Sequence, residues 1–148
     1  MKVIMGTDHA GFKLKESLKK FLSAEGYNVE DLGTNSEESC DYPDFIYPVA
    51  KKVAKDKGAK GIILGGSGQG EAITANRVKG VRAAVYYGGP SDIITLSREH
   101  NDANILSLGA RFISEKEAKK AVLMWLKTPF PGKERHVRRI KKIDSHGN

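Results

Sequence analysis

Short apolar runs alternate with amphipathic helical stretches along the whole chain, and this alternation is its tightest constraint on fold. Val3-Ile4-Met5, Tyr27 to Leu32, Gly61 to Leu64, Val81 to Val85 and Asn104 to Leu108 have the length and character of strands. Glu30 and Asp31 predict that the second lies near a sheet edge. The first helical stretch carries Leu14, Leu18, Phe21 and Leu22 on one face and stops at Gly26. The second takes Pro43 in its first turn, buries Phe45, Ile46, Val49, Ala50, Val53 and Ala54, and ends at Gly58. A short helix ends near Gly80, and another runs from Ser91, read as its cap, to about His100. Ser114 and Glu117 form a capping box for a helix that buries Ala118, Val122, Trp125 and Leu126. Pro129 and Pro131 then break the chain before a last helix, about residues 133–144, with Val137, Ile140 and Ile143 on one side.

Strand followed by helix, five times over, predicts an α/β, three-layer, Rossmann-like domain. Its five-stranded parallel sheet has helices on both faces and an extra C-terminal helix. Right-handed crossovers bring every strand-to-helix loop to one edge, where ligands bind near a topological switch point. The loops converging there carry Asp8 and His9, Asp41 and Tyr42, Gly65 to Glu71, Tyr86 to Pro90, and Arg111. No repeat or linker divides the chain, so residues 1–148 are expected to form a single domain.

One of these loops has unusual chemistry. Gly65-Gly66-Ser67-Gly68-Gln69-Gly70-Glu71 joins the third strand to the helix after it. Glycines there free the backbone to turn and to approach a ligand, and helix N-terminal amides attract anions. The loop can hold a phosphate or stabilise a developing oxyanion. It is neither a P-loop, which needs a lysine after its last glycine, nor a dinucleotide fingerprint, whose third glycine would fall at Glu71. Glu71 reads as a helix-dipole partner or as a base.

The remaining candidates are ambiguous residue by residue. Asp8 suits a helix cap, and His9 reads as a surface histidine or a ligand contact. His100, in Ser97-Arg98-Glu99-His100-Asn101-Asp102, is a solvated histidine at a helix end or a proton-transfer group. Arg135, Arg139 and Lys142 share one helical face, as a solvated basic surface or a phosphate clamp. Cys40, Trp125 and the three methionines need only structural readings. No His/Cys/Asp/Glu grouping has metal-ligand spacing, and no serine sits in a nucleophile elbow. The single cysteine fits a reducing, cytoplasmic setting, and neither a signal peptide nor a membrane-spanning run is expected. The net charge of +7, much of it between Lys133 and Lys142, fits nucleic acid, an anionic small ligand or simple solubility.

Taken together, six motifs in one register from Met1 to about Ile143 resemble the family of ribose-5-phosphate isomerase B and galactose-6-phosphate isomerase subunits. They are Gly6-Thr7-Asp8-His9-Ala10-Gly11, Asp41-Tyr42-Pro43, the glycine loop, Ala75-Asn76, the stretch Ser97 to Asp102, and Arg135-His136-Val137-Arg138-Arg139. The resemblance implies aldose–ketose isomerisation of ribose 5-phosphate and ribulose 5-phosphate, in the pentose phosphate pathway, through an enediol(ate) and without metal or organic cofactor. Many family members place a cysteine base just before the glycine loop, where this chain has Gly65. A second branch uses a glutamate just after the loop, which makes Glu71 the implied base. His100 then assists ring opening with Asp8 as helper. Ser67 and the amides of Gly66, Gly68, Gln69 and Gly70 hold the enediolate oxygens. Tyr42 and Asn101 contact substrate, and His9, Arg111, Arg135 and Arg139 bind phosphate. The family's homodimers, or dimers of dimers, build each pocket from two subunits.

Three other readings compete. One is an isomerase of six-carbon phosphates such as allose 6-phosphate or galactose 6-phosphate. Another is a phosphate-binding module without catalysis, which would not need Glu71 and His100. The third is a nucleic-acid binder, suggested by the charge but unsupported by an aromatic platform or binding motif; neither nucleic acid nor membrane is expected as a partner.

Overall fold

The computed structural model describes residues 1–146. Five strands, β1 (Lys2–Thr7), β2 (Asn28–Asp31), β3 (Lys60–Gly65), β4 (Ala83–Tyr86) and β5 (Ile105–Gly109), make one sheet in the order β2-β1-β3-β5-β4. Every pairing is parallel. The helices are α1 (Phe12–Ala24, entered through a 3-10 turn at His9–Gly11), α2 (Tyr42–Lys55), α3 (Gln69–Asn76), α4 (Asp92–Glu99), α5 (Glu115–Lys127) and α6 (Glu134–His146).

Side-chain alternation along the strands explains the three layers. Val3, Met5, Ile62, Leu64, Leu106 and Leu108 face one side and pack with Leu18 and Leu22 of α1, Ile94 of α4, and Val122 and Trp125 of α5. Ile4, Ile63 and Ile105 face the other and meet Ile46, Val49 and Val53 of α2 and Ala75 of α3. The crossovers β1–α1–β2 and β4–α4–β5 step along the sheet one way, and β2–α2–β3 and β3–α3–β4 the other. Right-handed connections therefore put α1 and α4 on one face and α2 and α3 on the opposite one. The expected Rossmann-like architecture is the one observed.

β2 is an edge strand, as its two acids predicted. Asp31 there takes the buried Lys15 ammonium at 2.5 Å and Lys19 at 2.8 Å. Glu30 binds Lys2 and Lys52.

Two local expectations change. Ser91 does not cap α4: its own backbone is helical (φ −65°, ψ −19°) and its hydroxyl accepts no cap hydrogen bond. The Pro90 and Ser91 carbonyls instead receive the Ile93 and Ile94 amides, so the turn begins earlier on backbone alone. Helix α3 starts at Gln69, which places Glu71 inside its first turn rather than ahead of it. Ser114 does cap α5, its Oγ accepting the Glu117 N–H at 3.1 Å.

Candidate active site

The carboxyl ends of β1, β3 and β5 hold the first group of residues. Asp8, just past β1, is 7% exposed and accepts the Ala10 N–H at 2.9 Å, so it does cap the turn that follows. Thr7 fixes that strand end by donating its hydroxyl to Leu64 O at 3.0 Å. His9 Nδ1 accepts the Cys40 amide at 3.3 Å and lies 3.9 Å from Cys40 Sγ. Cys40, read from sequence as merely structural, thus orients a candidate phosphate ligand.

The glycine loop is anchored on both sides. Ala110 and Arg111 donate their amides to the Gly65 and Gly66 carbonyls at 2.8 and 3.1 Å. Ser107, buried on β5, donates its hydroxyl to Gly68 O at 2.6 Å. Gly68 has φ +79°, and a Cβ there would meet Ser107 Oγ and the Leu108 carbonyl carbon at 3.0 Å, so any side chain there would be crowded and strained. The Tyr42 ring packs over Gly70, and the Arg111 guanidinium covers Gly66. Ser67 Oγ accepts the Gln69 N–H at 3.3 Å.

Glu71 folds back from α3 over the end of β3. A Cβ on Gly65 would overlap Oε1, Cδ and Oε2 of its carboxyl group, so the acid fills the space a side chain at position 65 would need. Only 4% exposed, it is pushed above the ordinary carboxylate range by burial. Its own backbone N–H opposes the shift, and the nearby Asp8 charge adds to it. A buried carboxyl group whose pKa is raised is suited to taking a proton from carbon and returning it.

His100, Asn101, Arg135 and Arg139 lie elsewhere. Helix α4 runs back against the strands and delivers His100, its C-cap, to the amino edge of the sheet. There Asn104 O accepts the Gly61 amide at the start of β3. Within one chain the length of β3 and β5 separates His100 from Glu71. The residues expected to share a pocket therefore form two groups, Asp8, His9, Tyr42, Gly66 to Glu71 and Arg111 at one edge, and His100, Asn101, Arg135 and Arg139 at the other.

Helix α6 docks beside this second group. Its one buried residue is His136, 3% exposed, which stacks on His100 with ring centroids 4.3 Å apart and planes 16° from parallel. Burial pulls the His136 pKa down, and His100, Arg135, Arg139 and Lys133 push it the same way. Sequence reading gave His136 no role. The available signal was its spacing, since 136, 140 and 143 fall on one helical face.

Residues 3–143 match the model of the ribose/galactose isomerase family. The chain belongs to that family. A curated family relative, the putative sugar phosphate isomerase YwlF of Bacillus subtilis, is 39% identical over 147 residues, 99% of this chain and 97% of its own length. Among solved structures, ribose-5-phosphate isomerase B of Clostridium thermocellum superposes with a TM-score of 0.92 at 46% identity, covering 98% of this chain and 96% of that one. The Mycoplasma genitalium ribose-5-phosphate isomerase B, solved with bound ribulose-5-phosphate, gives 0.91 at 40% identity over 97% and 94%. Among the described residues, no three His, Cys, Asp or Glu side chains gather to hold a metal, and no helix is long and apolar enough to cross a membrane.

Proposed function

We propose that this protein interconverts D-ribose 5-phosphate and D-ribulose 5-phosphate, a step of the pentose phosphate pathway, in the cytoplasm. The carrying observation is Glu71, a buried carboxyl group of raised pKa folded over Gly65 beside a backbone-amide loop. In the open-chain aldose, Glu71 removes the proton from C2, and charge develops on the C1 oxygen. Amides between Gly66 and Gly70, with the Ser67 hydroxyl, stabilise that charge. Glu71 then returns the proton to C1 while the C2 hydroxyl passes its own proton to the C1 oxygen and becomes the ketone. His100 protonates the ring oxygen during opening while Asp8 assists by accepting the proton of the anomeric hydroxyl, and Asn101 and Tyr42 hold hydroxyls. His9, Arg111, Arg135 and Arg139 bind the phosphate.

The two groups of residues are joined by a second copy of the chain, whose amino edge meets the carboxyl edge of the first in a homodimer or a dimer of dimers. Exposed apolar groups support this arrangement: Ile73 on α3 is 61% exposed and Ile143 on α6 is 51% exposed. The reading uses side chains and amides alone. A panel of five- and six-carbon sugar phosphates, assayed for aldose–ketose conversion with a chelator present, tests it. Ribose 5-phosphate is expected to give the highest kcat/KM. A higher value on a hexose 6-phosphate transfers the assignment to the six-carbon reaction, and binding without conversion leaves a phosphate-binding module.

A further inference from the structure

Arg82 lies just before β4, in a segment given no role above, and its side chain is only 15% exposed. Its Nε donates to Asn101 O at 2.9 Å and Asp102 O at 3.2 Å. Nη2 donates to the same Asp102 carbonyl at 3.0 Å and to Asp102 Oδ2 at 3.3 Å. Its amide donates to Asn104 Oδ1 at 2.8 Å, and its carbonyl accepts the Asn104 amide at 3.0 Å. Asp102 holds a left-handed backbone (φ +43°), and its other carboxylate oxygen takes Arg98 Nη1 at 2.7 Å. Such a conformation persists in a non-glycine residue when its surroundings over-determine it. The guanidinium also reaches out of the loop, with Nη1 3.9 Å from Asp144 Oδ1 on α6.

Helix α6 therefore meets the His100–Asp102 loop at two points. His136 stacks on His100, and Asp144 sits against the arginine that grips Asn101 and Asp102. Eight residues separate them, about 12 Å at the helical rise. A helix held at one point can pivot, whereas one held at two keeps its angle. Arg135 and Arg139 ride on that angle.

We propose that Arg82 is a positioning residue that mounts α6 on the His100–Asn101 loop and so fixes the separation between the ring-opening group and the phosphate-binding arginines. This rests on the isomerase reading and deepens it, because that separation becomes a ruler for substrate length. A hexose 6-phosphate exceeds a pentose 5-phosphate by one carbon–carbon bond, about 1.5 Å. A rigid mount selects the shorter ester, and a loose one discriminates less.

The test uses full-length Asp144→Asn, Arg82→Lys and Arg82→Ala, with steady-state kinetics on ribose 5-phosphate and allose 6-phosphate. Asp144→Asn lies on the surface and keeps the fold. It is expected to raise KM for ribose 5-phosphate about two- to fivefold, the span of a surface ion pair, with little change in kcat. The ratio of kcat/KM for the five-carbon over the six-carbon ester should narrow. Arg82→Ala should raise KM and also lower kcat, because the Asn101 loop is freed, and Arg82→Lys should recover part of both. Adding Asp144→Asn to Arg82→Ala should change KM no further. Independent effects in the double variant, or a fall in thermal stability with KM and the substrate ratio untouched, would overturn the proposal. Protection by inorganic phosphate against thermal unfolding reads the mount without turnover, and the wild-type shift should shrink in Asp144→Asn. A wild type that converts no sugar phosphate sinks the isomerase reading, while an undiminished phosphate shift in Asp144→Asn sinks the mount itself.

Discussion

Gly65→Ala is the smallest change that addresses the proposed base without removing it. The new methyl group would collide with all three atoms of the Glu71 carboxyl end. The Gly65 backbone cannot yield cheaply, since Gly65 pairs with Gly109 in the ladder and its carbonyl holds the Ala110 amide at 2.8 Å. The Glu71 side chain must therefore swing away. Overpacking a close site costs about 1–3 kcal/mol, which for a domain this size lowers Tm by roughly 2–12 °C. The displaced carboxyl group no longer reaches the reacting carbons, and loss of a general base slows turnover by about 10²–10⁴. Stopped assays on ribose 5-phosphate should record that fall in kcat with KM little changed, because the phosphate ligands are untouched. Two companions sharpen the test. Gly65→Ala with Glu71→Ala should regain the lost Tm but no activity, and Gly65→Cys with Glu71→Ala should regain part of the activity by placing a thiol where the carboxyl stood. A Gly65→Ala variant with wild-type kcat would refute the assignment of the base.

Three other outcomes are expected. Glu71→Gln should abolish nearly all turnover yet raise stability at neutral pH: because burial lifts the Glu71 pKa above its ordinary 4.5, the native state holds the proton longer and loses stability as pH rises from there. The advantage of the variant in thermal melts should close below about pH 4, and a constant gap across pH would contradict the burial argument. His100→Asn should slow conversion of cyclic ribose 5-phosphate far more than that of acyclic ribulose 5-phosphate, and mixing it with Glu71→Gln should restore activity through hybrid dimers, unless subunits exchange and nothing returns. Arg139→Ala should raise KM about tenfold or more, the worth of one charge-assisted contact, and weaken inhibition by inorganic phosphate, whereas unchanged values would remove Arg139 from the phosphate site.

Much of this is legible in the sequence. Apolar period and turn residues gave the five strands, the two helical layers and the edge position of β2, because each signal is local and each element buries what its pattern marks. The loops of the carboxyl edge followed from crossover handedness. The division of the site was less visible. Motifs reveal residue types and order, not which end of the sheet they occupy, though His100 at a helix C-terminus was the clue, since such helices return the chain to the amino edge. His136 escaped because a titratable residue between arginines was not counted with Ile140 and Ile143. Arg82 escaped because its partners are the carbonyls and carboxylate of a distant loop, and backbone acceptors leave no mark in sequence.

The overlap of position 65 with the Glu71 carboxyl has an evolutionary side. With Glu71 as the proposed base, its exchange for the cysteine that the resemblance implies at position 65 in other members needs two substitutions, and both orders cross a poor intermediate. Acquiring the cysteine first forces two side chains into one space, and losing the glutamate first leaves no base at all. A lineage that relies on this reaction cannot make that crossing with its only copy of the gene. Duplication, or a period when another enzyme carries the flux, is the natural setting for the exchange. The two positions should then vary as a pair between the family's branches, with mixed combinations scarce.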